Sequence, residues 1–209
     1  MVNCILKDIR AAHLMRWPGQ SMSLISNLRL LAFSPSLHFL MVHRMEHWLD
    51  SKERLTCISK WLVRIIKISL VPLILLNKIR FKGEIRCECD IDGGVCFSDQ
   101  GHIIFGAIKA GTGTVINTRV TIGQNHIDGG LPKIGRNVWI GHDCVVYGDI
   151  IIGDGATLLP GTILTKSIPS GVVMQGNPAR LKCSNFDNTK LRTLNTQDAN
   201  NYIKITLGY

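Results

Sequence analysis

The sequence lacks the motifs by which many enzymes hold phosphates. It contains neither a G-x-x-x-x-G-K-[ST] loop nor a G-x-G-x-x-G turn. Charged residues make up only 19% of the chain, and 15 Asp/Glu stand against 24 Lys/Arg. Such a composition excludes a disordered acidic chain and a collagen-like one. The apolar share of 45% is enough for a packed core.

The cysteines give no disulfide framework. Their number, seven, is odd, and no signal-peptide pattern precedes a small-residue cleavage site. We therefore expect reduced thiols and a cytoplasmic protein, with at most peripheral contact at the inner membrane surface. Cys87, Cys89 and Cys96 are spaced too closely for a closed zinc site, which needs four ligands. The sequence predicts no metal.

Positive charge is concentrated in the first part of the chain. Residues 1–82 hold 13 Lys/Arg and 4 Asp/Glu, whereas residues 83–209 hold 11 of each. Together with the patterns below, this predicts a basic α-helical domain at 1–82, a β-helix at 83–182 and a C-terminal tail at 183–209.

Helical periodicity dominates the basic part. Apolar residues recur three and four apart over residues 24–49, and Pro35 interrupts the pattern once. This predicts two helices, the second over residues 36–49, with Ser34 or Ser36 as its N-cap.

A third apolar segment covers residues 60–79. Arg64, Lys67 and Pro72 interrupt it, and its unbroken run has half the length that a bilayer requires. Two interpretations remain open: a helix buried against other helices or a partner subunit, and a basic amphipathic helix on an anionic membrane surface. The cations are scattered singly and no aromatic platform accompanies them, so we expect no nucleic-acid binding.

A period of six residues dominates the second part. A large aliphatic residue recurs at six positions, which are Ile134, Ile140, Val146, Ile152, Leu158 and Leu164. The same phase extends upstream through Ile104, Ala110, Ile116 and Ile122, and shifted by one residue through Ile85, Ile91, Phe97 and Ile103. Neither an α-helix nor a simple strand has this period, which is typical of a parallel β-helix with inward-pointing aliphatics. The predicted fold class is mainly β, a β-helix preceded by α-helices.

These repeats resemble the hexapeptide-repeat acyltransferases. The stretches that carry the likeness are Asn137-Val138-Trp139-Ile140-Gly141-His142, Thr165-Lys166 and Gly176-Asn177-Pro178-Ala179-Arg180, which are similar to coils of sugar, xenobiotic and serine acetyltransferases. Residues 40–49 are similar to the Tyr-Arg-x-x-His-Trp-Leu helix of serine acetyltransferases. The resemblance covers roughly residues 30–182. It implies a left-handed β-helix, a homotrimer that can pair into a dimer of trimers, and acetyl-CoA as the acetyl donor.

Transfer of acetyl to a hydroxyl requires a general base, and histidine is the natural base near neutral pH. His126 is the first candidate, because it lies where polar and Gly-rich residues interrupt the repeats. In sugar and xenobiotic acetyltransferases a similar loop begins with the catalytic histidine, followed shortly by an aspartate. The resemblance therefore implies His126 as the base and Asp128 as an acceptor contact, with Trp139 beside them.

The serine acetyltransferases imply another site. Their catalytic histidine falls at Asp99, their orienting aspartate at Glu84, and their acceptor-binding histidine at Leu131. His102, three residues beyond Asp99, could replace the base only if this corner of the coil is remodelled. Asp99 could instead orient a histidine or bind an acceptor hydroxyl.

The resemblance also implies a coenzyme site. It consists of the backbone around His142 and Pro160, the Thr165-Lys166 pair, and Arg180. The cations suit the coenzyme phosphates, and an extended pantetheine arm can pair with exposed backbone. For His142 we expect a backbone contact and an imidazole that faces solvent.

The expected function is acetyl transfer from acetyl-CoA to a hydroxyl, in the first place that of a sugar in a surface polysaccharide or its precursor. The basic part would then contact an anionic glycan or a membrane. Serine O-acetyltransferase of cysteine biosynthesis is the first alternative. A non-catalytic β-helix that serves as an assembly module is the second.

Overall fold

A computed structural model describes residues 2–17, 19–53, 83–86, 88–125, 129–194 and 196–208, together with a few single positions between 65 and 75. Three helices come first: α1 (Val2–Arg16), α2 (Leu24–Phe33) and α3 (Pro35–Glu53). Fifteen short strands follow, and the chain ends in α4 (Thr189–Thr193) and α5 (Thr196–Leu207). The predicted segment at 60–79 lies almost wholly outside the described residues.

The two helices predicted for residues 24–49 are confirmed. α2 begins after Ser23, which forms a capping box with Ser26. The Ser23 hydroxyl accepts a hydrogen bond from the Ser26 backbone N–H, and the Ser26 hydroxyl accepts one from the Ser23 backbone N–H. α3 begins at Pro35, a residue that fits the first helical position because its nitrogen carries no donor. In the described part of the chain no single helix is long and apolar enough to cross a membrane; only α2 and α3 together, bent by 78°, meet the length and composition required.

The strands form three sheets that wrap a solenoid. Sheet A contains β1 (Gly83–Ile85), β4 (Ile103–Phe105), β7 (Thr121–Gly123), β10 (Val145–Tyr147) and β13 (Ile163–Leu164). Sheet B contains β2 (Asp90–Ile91), β5 (Lys109–Ala110), β8 (Lys133–Ile134) and β11 (Ile151–Ile152). Sheet C contains β3 (Cys96–Phe97), β6 (Val115–Ile116), β9 (Trp139–Ile140), β12 (Thr157–Leu158), β14 (Val173–Gln175) and β15 (Arg180–Cys183). All pairs are parallel except β14 with β15. The predicted fold class, a parallel β-helix with N-terminal helices, is confirmed.

The inward residues of successive coils stack in register, as the six-residue period predicts. Ile116, Ile140 and Leu158 are paired in sheet C, and all three are fully buried. One predicted position is wrong. The side chain of Ile104 is 40% exposed, and its register partner in β1 is Glu84; the neighbouring Phe105 is the residue buried in the core. The inward residue Phe105 lies eight positions after Phe97, whereas its neighbour Ile122 lies six positions after Ile116. This extra length moves the inward position from Ile104 to Phe105.

The helices and the coils share one core. Phe39 and Leu40 of α3 belong to the same buried cluster as Ile85 and Ile91 of the first coil. A polar clamp adds to this contact, because Arg44 donates two hydrogen bonds to the buried Asp8 carboxylate of α1 and others to the carbonyls of Ile91 and Asp92. α3 therefore closes the N-terminal end of the β-helix, and α1 is fastened to both.

The C-terminal residues cover sheet C. Trp139 and Val173 are buried there with Leu191, Ala199 and Ile203 of the terminal segment. Asn188 is buried and its amide donates to the carbonyls of Asn137 and Gly155. A segment for which the sequence predicted only a capping tail thus forms a second layer over one face of the solenoid.

Candidate active site

Four of the ten predicted site residues lie along one edge of the solenoid, where the chain turns from sheet C into sheet A; they are Asp99, His102, His142 and Pro160. We call this edge the C–A edge; its corners are residues 98–102, 117–120, 141–144 and 159–162. The corners stack closely: Thr118 Oγ1 is 2.9 Å from His142 Nδ1, and the Gly161 amide donates to the His142 carbonyl at 2.7 Å. A Cβ on Gly101 would meet Thr118 Cβ at 3.1 Å. The corners of Asp99, His142 and Pro160 therefore form one column.

Asp99 anchors α3 to this edge. Its Oδ1 accepts hydrogen bonds from the Ser34 hydroxyl (2.9 Å), the Ser36 hydroxyl (2.6 Å) and the Ser36 amide (3.0 Å). Its Oδ2 accepts one from Arg16 Nη1 at 2.8 Å. The carboxylate thus caps the first turn of α3 from the coil, as an N-cap side chain does within a helix. Four donors occupy it, which leaves little capacity for taking a proton from an acceptor.

A cavity of about 480 Å³ opens beside this anchor, between the helices and the first coil. Its polar wall contains Arg16, Ser98, Asp99 and Gln100, and its apolar wall comes mainly from residues 30, 37 and 40 of the helices and from Phe97. This volume suits a small acceptor. Cys96 also lines the cavity, but burial raises the pKa of its thiol to about 12, so it is no nucleophile at neutral pH.

His102 lies on the same corner as Asp99 and is exposed. Both therefore lie at the N-terminal end of the C–A edge. Their corner is one residue longer than the other corners of this edge. The role of His102 as a base stays a prediction.

His142 differs from expectation. Its imidazole is buried rather than facing solvent, it contacts Thr118, and its Nε2 has no partner among the described residues. Burial lowers the pKa of His142, and the nearby Arg119 lowers it further, against the opposing charge of Asp143. The side chain is a packed, neutral part of the corner at pH 7.

The second edge, where sheet A turns into sheet B, carries two of the predicted coenzyme residues. Thr165 and Lys166 lie there, exposed, after β13. The loop between β7 and β8 leaves the coil at the same edge, and the Gly129 amide donates to the Asn125 carbonyl at its base. His126 and Asp128 lie outside the described residues. We call this the A–B edge; in a single chain it is separated from the C–A edge by the width of sheet A.

Two further predicted residues are placed by the last coils. Arg180 is exposed on β15, just beyond the turn that approaches β13. Trp139 is 1% exposed and packs beneath the C-terminal helices. The structure therefore assigns Trp139 to packing, which corrects its predicted contact with an acceptor.

Sequence reasoning missed Arg16 and the serine pair at the cavity. Arg16 belongs to α1, for which no pattern was recognised, and Ser34 was considered only as a local cap. No sequence signal links these residues to Asp99, which lies 63 or more positions away. The residues that the structure describes contain no group of three His, Cys, Asp or Glu side chains that could hold a metal ion.

Comparisons with known proteins agree with this architecture. Residues 132–166 match the family described as bacterial transferase hexapeptide (six repeats). The chain is 36% identical over 121 residues to a mitochondrial gamma carbonic anhydrase 2 of Arabidopsis thaliana, which covers 47% of this chain and 43% of that protein. It is 38% identical over 71 residues to the galactoside O-acetyltransferase of Escherichia coli, covering 34% of this chain and 30% of that protein.

Serine acetyltransferases match over more of the chain. The enzyme of Buchnera aphidicola from Acyrthosiphon pisum is 27% identical over 218 residues, covering 98% of this chain and 70% of that protein. The structure of Neisseria gonorrhoeae serine acetyltransferase superposes with a TM-score of 0.69 at 23% identity, covering 89% of this chain and 68% of that one. Serine acetyltransferases of this fold include complexes with serine and with CoA. The chain spans less than half the length of the first two relatives.

Proposed function

We propose that this hexapeptide-repeat protein, which resembles the serine acetyltransferases in sequence and fold, transfers acetyl from acetyl-CoA to the hydroxyl of a small acceptor. The observation that carries the proposal is the arrangement of the C–A edge. A cavity beside Asp99 stands at its N-terminal end, and the corners implied in coenzyme binding continue the same column. Serine is the first acceptor to test, because serine acetyltransferases are the relatives that match most of the chain.

The donor would lie along the C–A edge. The backbone N–H of His142 would donate to the pantetheine arm; Pro160 has no N–H, and the His142 carbonyl already accepts from Gly161. Arg180 at the last coil can meet a phosphate. Lys166 lies on the A–B edge, so in a single chain it cannot share this site. In a homotrimer the A–B edge of one protomer would face the C–A edge of the next, which would bring Lys166 and the loop at 124–132 to the coenzyme.

The chemistry requires one proton transfer. A base takes the acceptor hydroxyl proton while the oxygen attacks the thioester carbonyl; the tetrahedral intermediate then releases the thiolate of CoA, which takes a proton. Asp99 is engaged with α3 and Arg16, so we assign the base to a histidine. His102 would serve within the protomer, and His126 from the neighbouring protomer.

A sugar hydroxyl is the second candidate acceptor. The observation in its favour is the residue Asp99. It stands where serine acetyltransferases carry their catalytic histidine, and it accepts hydrogen bonds from Ser34 and Ser36 of α3. The polar wall of this cavity therefore carries a carboxylate where a serine acetyltransferase site carries an imidazole. The match to galactoside O-acetyltransferase in the hexapeptide coils fits the same alternative.

Release of CoA thiol from acetyl-CoA tests the proposal, first with serine and then with a panel of saccharides, with the product identified by mass spectrometry. Turnover with serine supports the first acceptor, and turnover with saccharides alone supports the second. CoA binding to the wild-type chain is measured separately by calorimetry. Absence of both binding and turnover would contradict the proposal.

The base is identified by matched variants. His102→Ala and His126→Ala each remove one candidate, and loss of a positioned general base lowers turnover by roughly 10²–10⁴-fold. CoA affinity should stay the same in both variants. His38→Ala, a change in the helices away from the edge, is the control. If neither variant loses turnover, both His102 and His126 are excluded as the base.

A further inference from the structure

The outward half of α2 is mostly apolar. Four large side chains on this half are strongly exposed: Leu24 (83%), Ile25 (67%), Leu28 (64%) and Phe33 (68%). At 3.6 residues per turn, Leu24, Ile25 and Leu28 lie within about 100° of one another, and Phe33 lies at the border of the same exposed half. We call them the α2 stripe. The opposite side of α2 carries Leu30, which is buried and lines the cavity.

The exposed charges around the stripe have one sign. Arg29 lies within it, and α1, which packs against α2, exposes Arg10 together with Leu6 and Leu14. Lys7 of α1 instead lies against the first coil, beside Gly93. The one acidic residue of these two helices, Asp8, is buried in its ion pair with Arg44. The two helices therefore present apolar side chains and cations without any exposed carboxylate.

Other apolar residues on the surface show a different pattern. On the coils, Ile104, Ile108 and Ile151 are exposed singly, on separate strands and corners, which is ordinary for a protein surface. In the basic part, by contrast, the described positions Ile65, Ile68, Val71 and Leu75 repeat the spacing of a second exposed helical stripe. Leu181 and Ile205, in the C-terminal part, are also exposed singly. Among the described residues, exposed apolar stripes therefore occur only in the part of the chain that holds all of its excess positive charge.

We propose that the α2 stripe and its flanking cations bind the surface of an anionic lipid bilayer. Apolar side chains enter the boundary between headgroups and acyl chains, while Lys and Arg meet the negative headgroups. A second copy of the chain is a poorer occupant. Self-pairing about a twofold axis would set Arg29 of α2 and Arg10 of α1 near the same cations of the partner, and these two helices expose no carboxylate to neutralise them.

Membrane binding here would also position the cavity. Because the buried side of α2 lines the cavity and its exposed side would rest on lipid, the two are separated by one helix, roughly 10 Å across. The cavity would then lie close to the bilayer surface.

The test is sedimentation of the full-length protein with vesicles of phosphatidylcholine alone and of phosphatidylcholine mixed with phosphatidylglycerol. We expect binding to the mixed vesicles, weakened by salt because screening reduces the attraction of the cations. The triple variant Leu24→Ser/Leu28→Ser/Phe33→Ser should bind at least about tenfold more weakly, since each buried aliphatic contributes on the order of a tenfold factor. Arg29→Gln should weaken binding about fivefold.

The matched control is Ile104→Ser/Ile108→Ser/Ile151→Ser, which removes an equal number of exposed apolar side chains from the coils and should bind like the wild type. Circular dichroism verifies that both triple variants fold. Equal vesicle binding by the stripe variant and the wild type would overturn the proposal, and so would a wild type that binds neither vesicle. If the stripe variant instead dissociates a larger assembly in light scattering and the wild type ignores lipid, a second copy covers the stripe and the proposal is wrong. CoA binding, measured on the same samples, reports on the proposed function separately.

Discussion

The coils and the N-terminal helices of this protein are held in place by different means. In the coils, each inward side chain rests on the equivalent residues one coil before and after, as in the column of Ile116, Ile140 and Leu158. The helices join the coils through Phe39 and Leu40 in the shared core and through a few polar contacts between distant residues, chiefly Asp8 with Arg44 and Asp99 with Ser36. Each coil is supported by similar neighbours in the stack, whereas no repeat duplicates the polar contacts that hold the helices.

The largest effect should come from breaking the buried ion pair. Arg44→Leu leaves the Asp8 carboxyl buried without its cation, and removal of one partner from such a pair costs about 3–5 kcal/mol. Burial already raises the pKa of Asp8, against the hydrogen bonds from Arg44 and Gly94. Urea denaturation measures the loss, and hydrogen exchange should show it in α1 and α3 before the coils. Arg119→Gln, which removes an exposed pair with Asp143, is the control; equal loss in both variants would refute the clamp.

Truncation of a buried side chain in the coil should lower the free energy of unfolding nearly as much, whereas truncation of an exposed one should not. Ile152→Ala removes a fully buried member of the inward column and should lower the free energy of unfolding by about 2–5 kcal/mol. Ile151→Ala changes the preceding residue of the same strand, which points outward and is 56% exposed. It should change stability by about 0.5 kcal/mol or less. A reversed order in denaturant titrations would show that the inward register is wrong.

Acid should loosen the junction of helices and coil. Burial lowers the pKa of His43 from 6.5 to about 4, with the charges of His47 and Arg44 acting in the same direction, while its ring donates to the Cys89 carbonyl. The unfolded chain therefore binds more protons between pH 6.5 and 4, and this contribution to stability is lost as the pH falls through that window. From pH 7 to pH 5 the loss is about 2 kcal/mol.

The measurement is the urea midpoint at pH 7 and pH 5 for the wild type and His43→Gln. Glutamine keeps a donor for the Cys89 carbonyl but does not titrate. The glutamine variant should lose less stability between the two pH values; an identical loss would mean that other groups cause the pH dependence.

The smallest effect should come from Asp99. Asp99→Ala removes the cap of α3 and should cost about 1 kcal/mol, the usual value for a lost N-cap. Asp99→Asn keeps an oxygen for Ser34 and Ser36, so turnover should fall much less than the roughly 10²–10⁴-fold expected for a missing general base. A loss of that size in Asp99→Asn, with stability unchanged, would make Asp99 the base after all.

The sequence alone was sufficient for the architecture of the coils. Because each side chain of a solenoid contacts residues at a fixed distance along the chain, a six-residue period already determines which positions point inward. It failed at Ile104, because the chain takes eight residues rather than six to pass from Phe97 to the next inward residue, Phe105. The corner at 98–102, which lies between them, is part of the candidate site.

Only the tertiary structure decided which residues meet. The period cannot reveal that Asp99 caps α3, that Arg16 of an unrecognised helix reaches the same carboxylate, or that the C-terminal segment covers Trp139. The tertiary structure also divides the predicted residues between two edges, with His102 and His142 on one and Thr165 and Lys166 on the other. The physical reason is that these contacts join segments far apart in sequence. Their geometry depends on how helices pack on the end and face of the solenoid, which no local pattern encodes.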